Sequence, residues 1–201
     1  MIELIKDGKI IGVVRGGSEH GPRALGNRSI LCDPTIPDMK DILNAKVKHR
    51  EYYRPFAPVV RLEDVNKYFE WDKECRYMSY CPKVKEEYWD KIPSIVHVDK
   101  TARVQTVTKE QNENYYNLIE AFRDETSVPI IFNTSFNLAG EPLVETIDDA
   151  IDTLRNSALD YMYLPELGKL LKCETNLSLS KEDDTEVEDS AIADDITEEA
   201  A

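Results

Sequence analysis

The sequence predicts one mixed domain of the α/β or α+β class, followed by an acidic tail. Along residues 1–173, short apolar runs alternate with segments whose apolar residues recur at helical spacing. Hydrophobic residues make up 41% of the 201 residues, yet no apolar run approaches the ~20 residues of a membrane span. No internal repeat of about 20–50 residues interrupts the alternation, which excludes a solenoid or a propeller.

The first half of the chain combines three helical patterns with three apolar runs. Asp7 and Gly8 close the first helix, because glycine readily takes the backbone conformation that ends a helix. The second helix carries Met39, Ile42 and Val47 at helical spacing. Each strand is a short apolar run beside turn-forming residues. In chain order we predict a helix over 2–6, strands over 9–15 and 28–32, a helix over 37–48, a strand over 56–61 and a short helix over 64–69.

The second half of the chain carries more strand patterns and two longer helices. Tyr115, Leu118 and Phe122 form one apolar stripe, which predicts an amphipathic helix. Thr146 is a typical N-cap, and Asp148 suits the first turn of the helix that follows. In chain order we predict strands over 94–98 and 103–107, a helix over 112–123, a strand over 128–132, a helix over 146–154 and closing strands over 161–164 and 169–171.

The net charge of −14 is unevenly distributed along the chain. Residues 1–61 carry +4, residues 62–173 carry −8 and residues 174–201 carry −10. This balance argues against a duplex-binding surface, which needs a broad basic face, whereas a small anion needs only a local cluster. Residues 174–201 lack aromatic side chains and cannot offset their ordering entropy by burial. We therefore predict a folded domain over 1–173 and a disordered acidic tail over 174–201.

Several other function classes receive no support. The four cysteines form no CxxC pair and no zinc spacing, and the three histidines form no HxxxH or HExxH pattern, so we predict no metal site in this chain. No GxSxG nucleophile motif occurs. The N-terminal residues lack a secretory signal pattern. Free thiols and the absence of an apolar span predict a cytoplasmic protein that does not bind membranes.

A glycine-rich and arginine-rich segment over residues 16–31 follows the first predicted strand. Glycine lets the backbone turn sharply and approach a ligand, and arginine presents a planar fork of donors that matches phosphate or carboxylate. Residues 21–29 nearly match a phosphate-binding P-loop, but Asn27 replaces its lysine and Pro22 follows its first glycine, so we reject that assignment. The segment predicts a different anion-binding loop; a surface turn with incidental charge is the alternative.

Three further stretches carry candidate ligand-binding groups. Lys48 and Arg50 would share one face of an extended segment and could hold neighbouring oxygens of a polyphosphate; a solvated charged face is the alternative. Arg103 opens a predicted strand as a phosphate ligand or an edge-strand charge. Polar groups at the end of a buried strand can orient a ligand or merely stabilise a turn; they are Asn133, Ser135 and Asn137.

These stretches, taken in this order, resemble the C-terminal domain of the O-carbamoyltransferase family, which includes nodulation-factor and antibiotic carbamoyltransferases. The resemblance extends over about residues 1–173. It is carried by residues 19–31, 46–51, 54–58, 97–105, 133–137 and 140–142. It implies a YrdC-like fold, a twisted mixed sheet with flanking helices. The KxR and SxN signature of the wider YrdC group is matched at 48–50 and 135–137.

The resemblance also implies an activity and its partners. Carbamoyl phosphate would be hydrolysed and ATP attacked, giving carbamoyl-adenylate and pyrophosphate. The carbamoyl group would then pass to a hydroxyl acceptor in a separate domain, where iron is expected. Mg²⁺ would accompany the nucleotide. This chain would supply the adenylating half of a transferase. It would either rely on a separate acceptor-domain chain or be a fragment of a longer protein. Nucleic acid and membranes are not expected partners.

By the same resemblance, Arg23, Lys48, Arg54 and Arg103 contact phosphate and carbamoyl oxygens, with Lys48, Arg54 and Arg103 as the catalytic set. Arg50, Asn133, Ser135 and Asn137 orient the nucleotide or carbamate, and Glu19 anchors an arginine. The chain departs from the family at Gly17, where the family usually has arginine, and Arg15 lies two residues earlier. A non-catalytic nucleotide-binding module that docks on a partner, or a threonylcarbamoyl-adenylate synthase, are the alternative functions.

Overall fold

The computed structural model describes residues 1–173 and the backbone of residues 196–200. Its centre is one mixed sheet of eight strands with the spatial order β4-β3-β5-β2-β1-β6-β7-β8. Strand pairing is antiparallel except between β1 and β6 and between β3 and β4, which run parallel. The strands are β1 (Ile11–Val14), β2 (Arg28–Cys32), β3 (Ala57–Arg61), β4 (Gln105–Val107), β5 (Ile130–Ser135), β6 (Tyr161–Leu164), β7 (Lys169–Cys173) and β8 (Ile196–Ala200).

Five α-helices accompany the sheet within the described residues. They are α1 (Ile2–Lys6), α2 (Met39–Leu43), α3 (Val65–Tyr68), α4 (Glu113–Thr126) and α5 (Ile147–Arg155). Helix α4 packs against β3 and β5, and α5 packs against β1 and β7. Side chains cap two of these helices: Asn112 accepts from the Tyr115 N–H, and Thr146, the predicted N-cap, forms a reciprocal capping box with Asp149.

The central strands are buried along their whole length, which explains why they are apolar without alternation. All residues of β1, β2 and β3 are buried, as are five of the six residues of β5. Burial on both faces of a sheet favours continuous apolar runs over an alternating pattern. Phe122 and Ile119 of α4 are fully buried in the same core as Phe132 of β5.

One element prediction was wrong, and one predicted helix changes type along its length. Residues 94–98 do not form a strand, because Pro93 begins a 3₁₀ turn over Pro93–Ile95; proline fixes φ and has no N–H for a sheet ladder. The helix predicted over 37–48 ends as an α-helix at Leu43 and continues as a π-helical turn over Asn44–Lys48. That turn stops at His49, whose φ of 46° lies in the left-handed region.

The predicted acidic tail lies outside the described residues except at β8. The backbone of Ile196–Ala200 pairs antiparallel with β7. The disordered acidic tail over 174–201 stays a prediction. None of the helices in the described part of the chain is long and apolar enough to span a membrane.

Candidate anion-binding site

Lys48 lies at the end of the π-helical turn and reaches the polar end of β5. Its side chain is buried, and Nζ donates to the Ser135 carbonyl oxygen at 2.5 Å and to Ser135 Oγ at 3.3 Å. It also donates to the carbonyl oxygen and to Oδ1 of Asn137, both at 2.8 Å. All four acceptors are formally neutral. The ammonium is therefore well solvated by protein oxygens but has no anionic partner in direct contact.

This environment lowers the pKa of Lys48 to about 7. Burial is the largest cause, since it disfavours the charged ammonium, and the positive charges of Arg50 and Arg54 act in the same direction. Glu141 acts in the opposite direction but does not compensate. An anion placed beside Lys48 would therefore meet a group whose charge it strongly stabilises.

The Arg50 guanidinium lies over an aromatic ring rather than pairing with a carboxylate. Its Cζ lies 4.0 Å from the centroid of the Phe56 ring. Its Nε and Nη2 are buried and form no hydrogen bond with the described residues. Burial and the nearby charges of Arg54 and Arg103 lower the pKa of Arg50 to about 10. Buried donors are rarely left without acceptors, so these N–H groups indicate a place for a ligand oxygen.

Three further arginines complete the cluster. Burial lowers the pKa of Arg103, and the positive charges of Arg23 and Arg54 lower it further. Arg103 Nε is another buried donor without an acceptor among the described residues. Arg54 is exposed, and its Nη1 lies 3.5 Å from Glu51 Oε2. Arg103 is thus within electrostatic range of Arg23, Arg54 and Arg50, which indicates that the four guanidinium groups lie in one region.

The cationic cluster is therefore a single neighbourhood built from separate parts of the chain. It comprises Arg23, Lys48, Arg50, Arg54 and Arg103. The segment after β1, the π-helical turn, the segment before β3 and the segment before β4 each contribute to it. The structure thus brings together all five cations that the sequence singled out.

The three polar residues of β5 and its extension support the cluster in different ways. Ser135 Oγ donates to Asn137 Oδ1 at 2.7 Å, and both side chains hold Lys48. Asn133 is fully buried, and its Nδ2 donates to the Ala24 carbonyl oxygen at 3.0 Å and to Gln105 Oε1 at 2.8 Å. Asn133 thereby ties the segment that carries Arg23 to the strand that follows Arg103.

Two other arginines, by contrast, form several hydrogen bonds or ion pairs with protein oxygens. Arg28, the first residue of β2, donates to the carbonyl oxygens of Glu145, Arg15, Asn27 and Gly16 at 2.7–3.2 Å. Arg61 has Glu63, Asp64 and Glu120 within 3.6 Å. These two side chains stabilise the fold, whereas Arg50 and Arg103 have buried N–H groups without an acceptor among the described residues.

Glu19 has a different role from the predicted one. We expected it to anchor an arginine side chain. Instead its carboxylate accepts hydrogen bonds from the backbone N–H groups of Leu25, Asn27 and Arg28 at 2.6, 2.8 and 3.1 Å. A carboxylate can satisfy several backbone donors in a turn at once, and here it fixes the shape of the loop that carries Arg23. No hydrogen bond or ion pair joins it to an arginine side chain in residues 1–173.

Gly26 is required where the glycine-rich loop passes over the aromatic core. Its φ is +112°, and a Cβ at this position would lie 2.4 Å from the Tyr115 ring. Both the backbone conformation and the close approach exclude a side chain. The loop is thus held by Glu19 on one side and by the ring of Tyr115 beneath it.

A cavity of about 430 Å³ lies beside the cluster but has the wrong charge for an anion. Its lining includes Glu141, Glu145, Asp149 and Asp152. Glu141 also accepts from Asn137 through its carbonyl oxygen, so the cavity borders the polar end of β5. Electrostatics therefore favours the cationic cluster over this cavity as the anion site. Among residues 1–173, no three His, Cys, Asp or Glu side chains form a metal-binding group.

Sequence reasoning missed three residues that shape the site. Phe56 carries the Arg50 guanidinium, Asn44 holds the backbone of Arg50 at both its N–H and C=O groups, and Glu141 faces Lys48. Phe56 and Glu141 lie within the stretches that carry the family resemblance, which is the only signal that could have drawn attention to them. Asn44 lies outside those stretches, and only the π-helical turn brings it beside Arg50.

Comparison with known proteins identifies the class to which this fold and site belong. The family described as "Carbamoyltransferase C-terminus" matches residues 2–169, and the chain belongs to this family. Nodulation protein NolNO of Sinorhizobium fredii is 49% identical over 161 residues, 79% of this chain and 24% of that protein. The 3'-hydroxymethylcephem-O-carbamoyltransferase of Amycolatopsis lactamdurans is 41% identical over 144 residues, 72% of this chain and 27% of that protein.

A solved structure, that of full-length HypF in the phosphate- and nucleotide-bound form, is similar in fold. The comparison of the two structures gives a TM-score of 0.51 at 19% sequence identity. The matched region covers 78% of this chain and 19% of HypF. The predicted fold class, a YrdC-like α/β mixed sheet with flanking helices, is confirmed. The predicted family is confirmed as well. The chain spans about a quarter of the length of the two relatives described above.

Proposed function

We propose that this domain binds ATP and carbamoyl phosphate and joins them into carbamoyl-adenylate. In the first step water cleaves carbamoyl phosphate to carbamate and inorganic phosphate. In the second, a carbamate oxygen attacks the α-phosphorus of ATP, and pyrophosphate leaves. The observation that carries this proposal is the cluster of five cations, in which buried N–H groups of Arg50 and Arg103 lack acceptors among the described residues. Membership of the carbamoyltransferase family supports the choice of substrates.

The geometry suggests which ligand oxygens each cation would bind. Arg23, Arg54 and Arg103 would bind phosphate and carbamoyl oxygens, and Lys48 would add a charge that strengthens when the anion arrives. Arg50 would present a fork of two donors, which suits two oxygens of one phosphate. These groups are held in place before the ligand binds, so they can stabilise the charge that develops on pyrophosphate with little reorganisation.

The polar residues of β5 would orient the nucleotide or carbamate. Ser135 and Asn137 hold the Lys48 ammonium towards the cluster. Asn133 links the segment that carries Arg23 to the strand that follows Arg103. The donors of the cluster are cations and neutral groups, which suits phosphate oxygens and not a metal ion. We therefore propose that Mg²⁺ enters with the nucleotide and that iron belongs to a separate acceptor domain.

The carbamoyl group would then pass to a hydroxyl acceptor. The transferases that this chain resembles are several times longer than the chain, and we propose that a separate acceptor-domain chain completes the reaction. In that arrangement the present domain generates the activated carbamoyl group and its partner uses it. Cytoplasmic location is part of the same proposal.

The test is release of pyrophosphate from ATP by the purified chain. We expect release that requires carbamoyl phosphate and is lost in Arg103→Ala. Arg123→Ala is the matched control, because Arg123 lies on α4 and pairs with Asp124 at 2.6 Å away from the cluster. Binding of ATP without pyrophosphate release would instead indicate a non-catalytic nucleotide-binding module. A requirement for bicarbonate and threonine would indicate a threonylcarbamoyl-adenylate synthase, and absence of ATP binding would refute the site.

A further inference from the structure

Phe56 connects the cationic cluster to the hydrophobic core. The residue is 3% exposed and lies directly before β3. One face of its ring carries the Arg50 guanidinium, with Cζ 4.0 Å from the ring centroid. The ring also packs against Phe132 of β5 at a centroid distance of 4.9 Å. Because Phe132 is fully buried, the Phe56 ring has little freedom to move.

The backbone of Arg50 is fixed independently of this ring. Asn44 Nδ2 donates to the Arg50 carbonyl oxygen at 2.7 Å, and the Arg50 N–H donates to Asn44 Oδ1 at 3.1 Å. The side chain then has no hydrogen-bonded partner among the described residues that would set its direction. The ring of Phe56 is therefore the contact that supports the guanidinium.

We propose that Phe56 is a positioning residue for the anion, a proposal that rests on the proposed function. Its ring holds the Arg50 guanidinium flat, so that the N–H edge faces the phosphate or carbamoyl oxygens. A stacked guanidinium uses its π-face for the ring and keeps its in-plane donors free for a planar pair of oxygens. A carboxylate partner would fix the arginine equally well but would consume those donors.

The contrast with Arg28 and Arg61 supports a ligand-directed role over simple packing. Those arginines are also largely buried, yet each is saturated by carbonyl or carboxylate oxygens. Arg50 is half-buried, is surrounded by like charges and has no such acceptor, an arrangement that costs stability in the unliganded protein. Stacking on an aromatic ring is the arrangement that keeps this side chain ordered without neutralising it.

The test measures affinity for inorganic pyrophosphate by titration calorimetry on the full chain. The variants are Phe56→Leu, Arg50→Ala and the double variant. We expect Phe56→Leu to weaken binding by about threefold to thirtyfold, the range that loss of a cation–π contact gives. If Phe56 acts through Arg50, the double variant binds no more weakly than Arg50→Ala alone. Phe122→Leu, a fully buried substitution on α4, is the control for loss of core packing and should retain wild-type affinity.

Equal losses from Phe56→Leu in the presence and absence of the Arg50 side chain would overturn the proposal, as would wild-type affinity of a folded Phe56→Leu. Arg50→Lys tests it without touching the core, because lysine keeps the charge but cannot present a stacked fork. We expect at least a threefold loss, and wild-type affinity of Arg50→Lys would also overturn the proposal. A wild-type chain that binds neither pyrophosphate nor ATP would refute the proposed function itself.

Discussion

Replacing Lys48 by methionine tests whether this ammonium is held at the expense of stability. The pKa of Lys48 is about 7 in the folded chain, against an ordinary value of 10.5. Between these two values the unfolded chain binds more protons at this group than the folded chain does. The free energy of unfolding therefore rises with pH through this window, and the gain is complete only above pH 10.5.

The size of the effect follows from the two pKa values. Integrating the proton difference from about pH 7 to pH 9 gives a rise of about 2 kcal/mol in the free energy of unfolding from Lys48 alone. The charged groups that face Lys48 are Arg50, Arg54 and Glu141. The pKa of Arg50 is about 10, so Arg50 stays largely charged below pH 9. Lys48→Met removes the titrating group and should remove the rise.

The assay is urea denaturation of wild type and Lys48→Met at pH 7, 8 and 9, at constant ionic strength. The difference between the two proteins isolates Lys48, since every other group is common to both. Lys46→Met is the matched control: Lys46 belongs to the same π-helical turn but is partly exposed, 3.8 Å from Asp160. It should keep the wild-type pH response. Parallel pH curves for wild type and Lys48→Met would refute the assignment of a depressed pKa to this buried lysine.

Three further outcomes are expected. Gly26→Ala should lower the free energy of unfolding by about 2–4 kcal/mol in urea denaturation, because its Cβ would meet the Tyr115 ring at a φ of +112°. Gly17→Ala is the control: its Cβ would face open space, and the free energy of unfolding should change little. Arg103→Met should weaken ATP binding by about 1–3 kcal/mol, as measured by calorimetry. The melting temperature should stay the same or rise, because the substitution removes a half-buried charge whose Nε has no acceptor among the described residues. Arg28→Met should lower the free energy of unfolding by about 2–4 kcal/mol in urea denaturation, because several carbonyl oxygens lose their donor. Unchanged stability would contradict the structural role of Arg28.

Local sequence signals predicted most of the elements because they depend on neighbouring residues. Thr146 begins α5 through its capping box, and the stripe that includes Tyr115 and Phe122 forms the buried face of α4. The strand predicted at 94–98 was wrong for a reason that is also local, since Pro93 imposes a 3₁₀ turn. The π-helical turn before His49 had no sequence signal, because it depends on how the Lys48 side chain reaches β5.

The sequence by itself determined the fold class, the family and the residue types that could hold a polyanion. Only the tertiary structure decided which arginines keep N–H groups without a protein acceptor. Arg28 and Arg50 both lie in stretches that carry the resemblance, yet one is saturated by carbonyl oxygens and the other lies on Phe56 with free donors. The physical reason is that helix and strand formation depends on near neighbours, whereas the pairing or isolation of a charge depends on acceptors brought from distant parts of the chain.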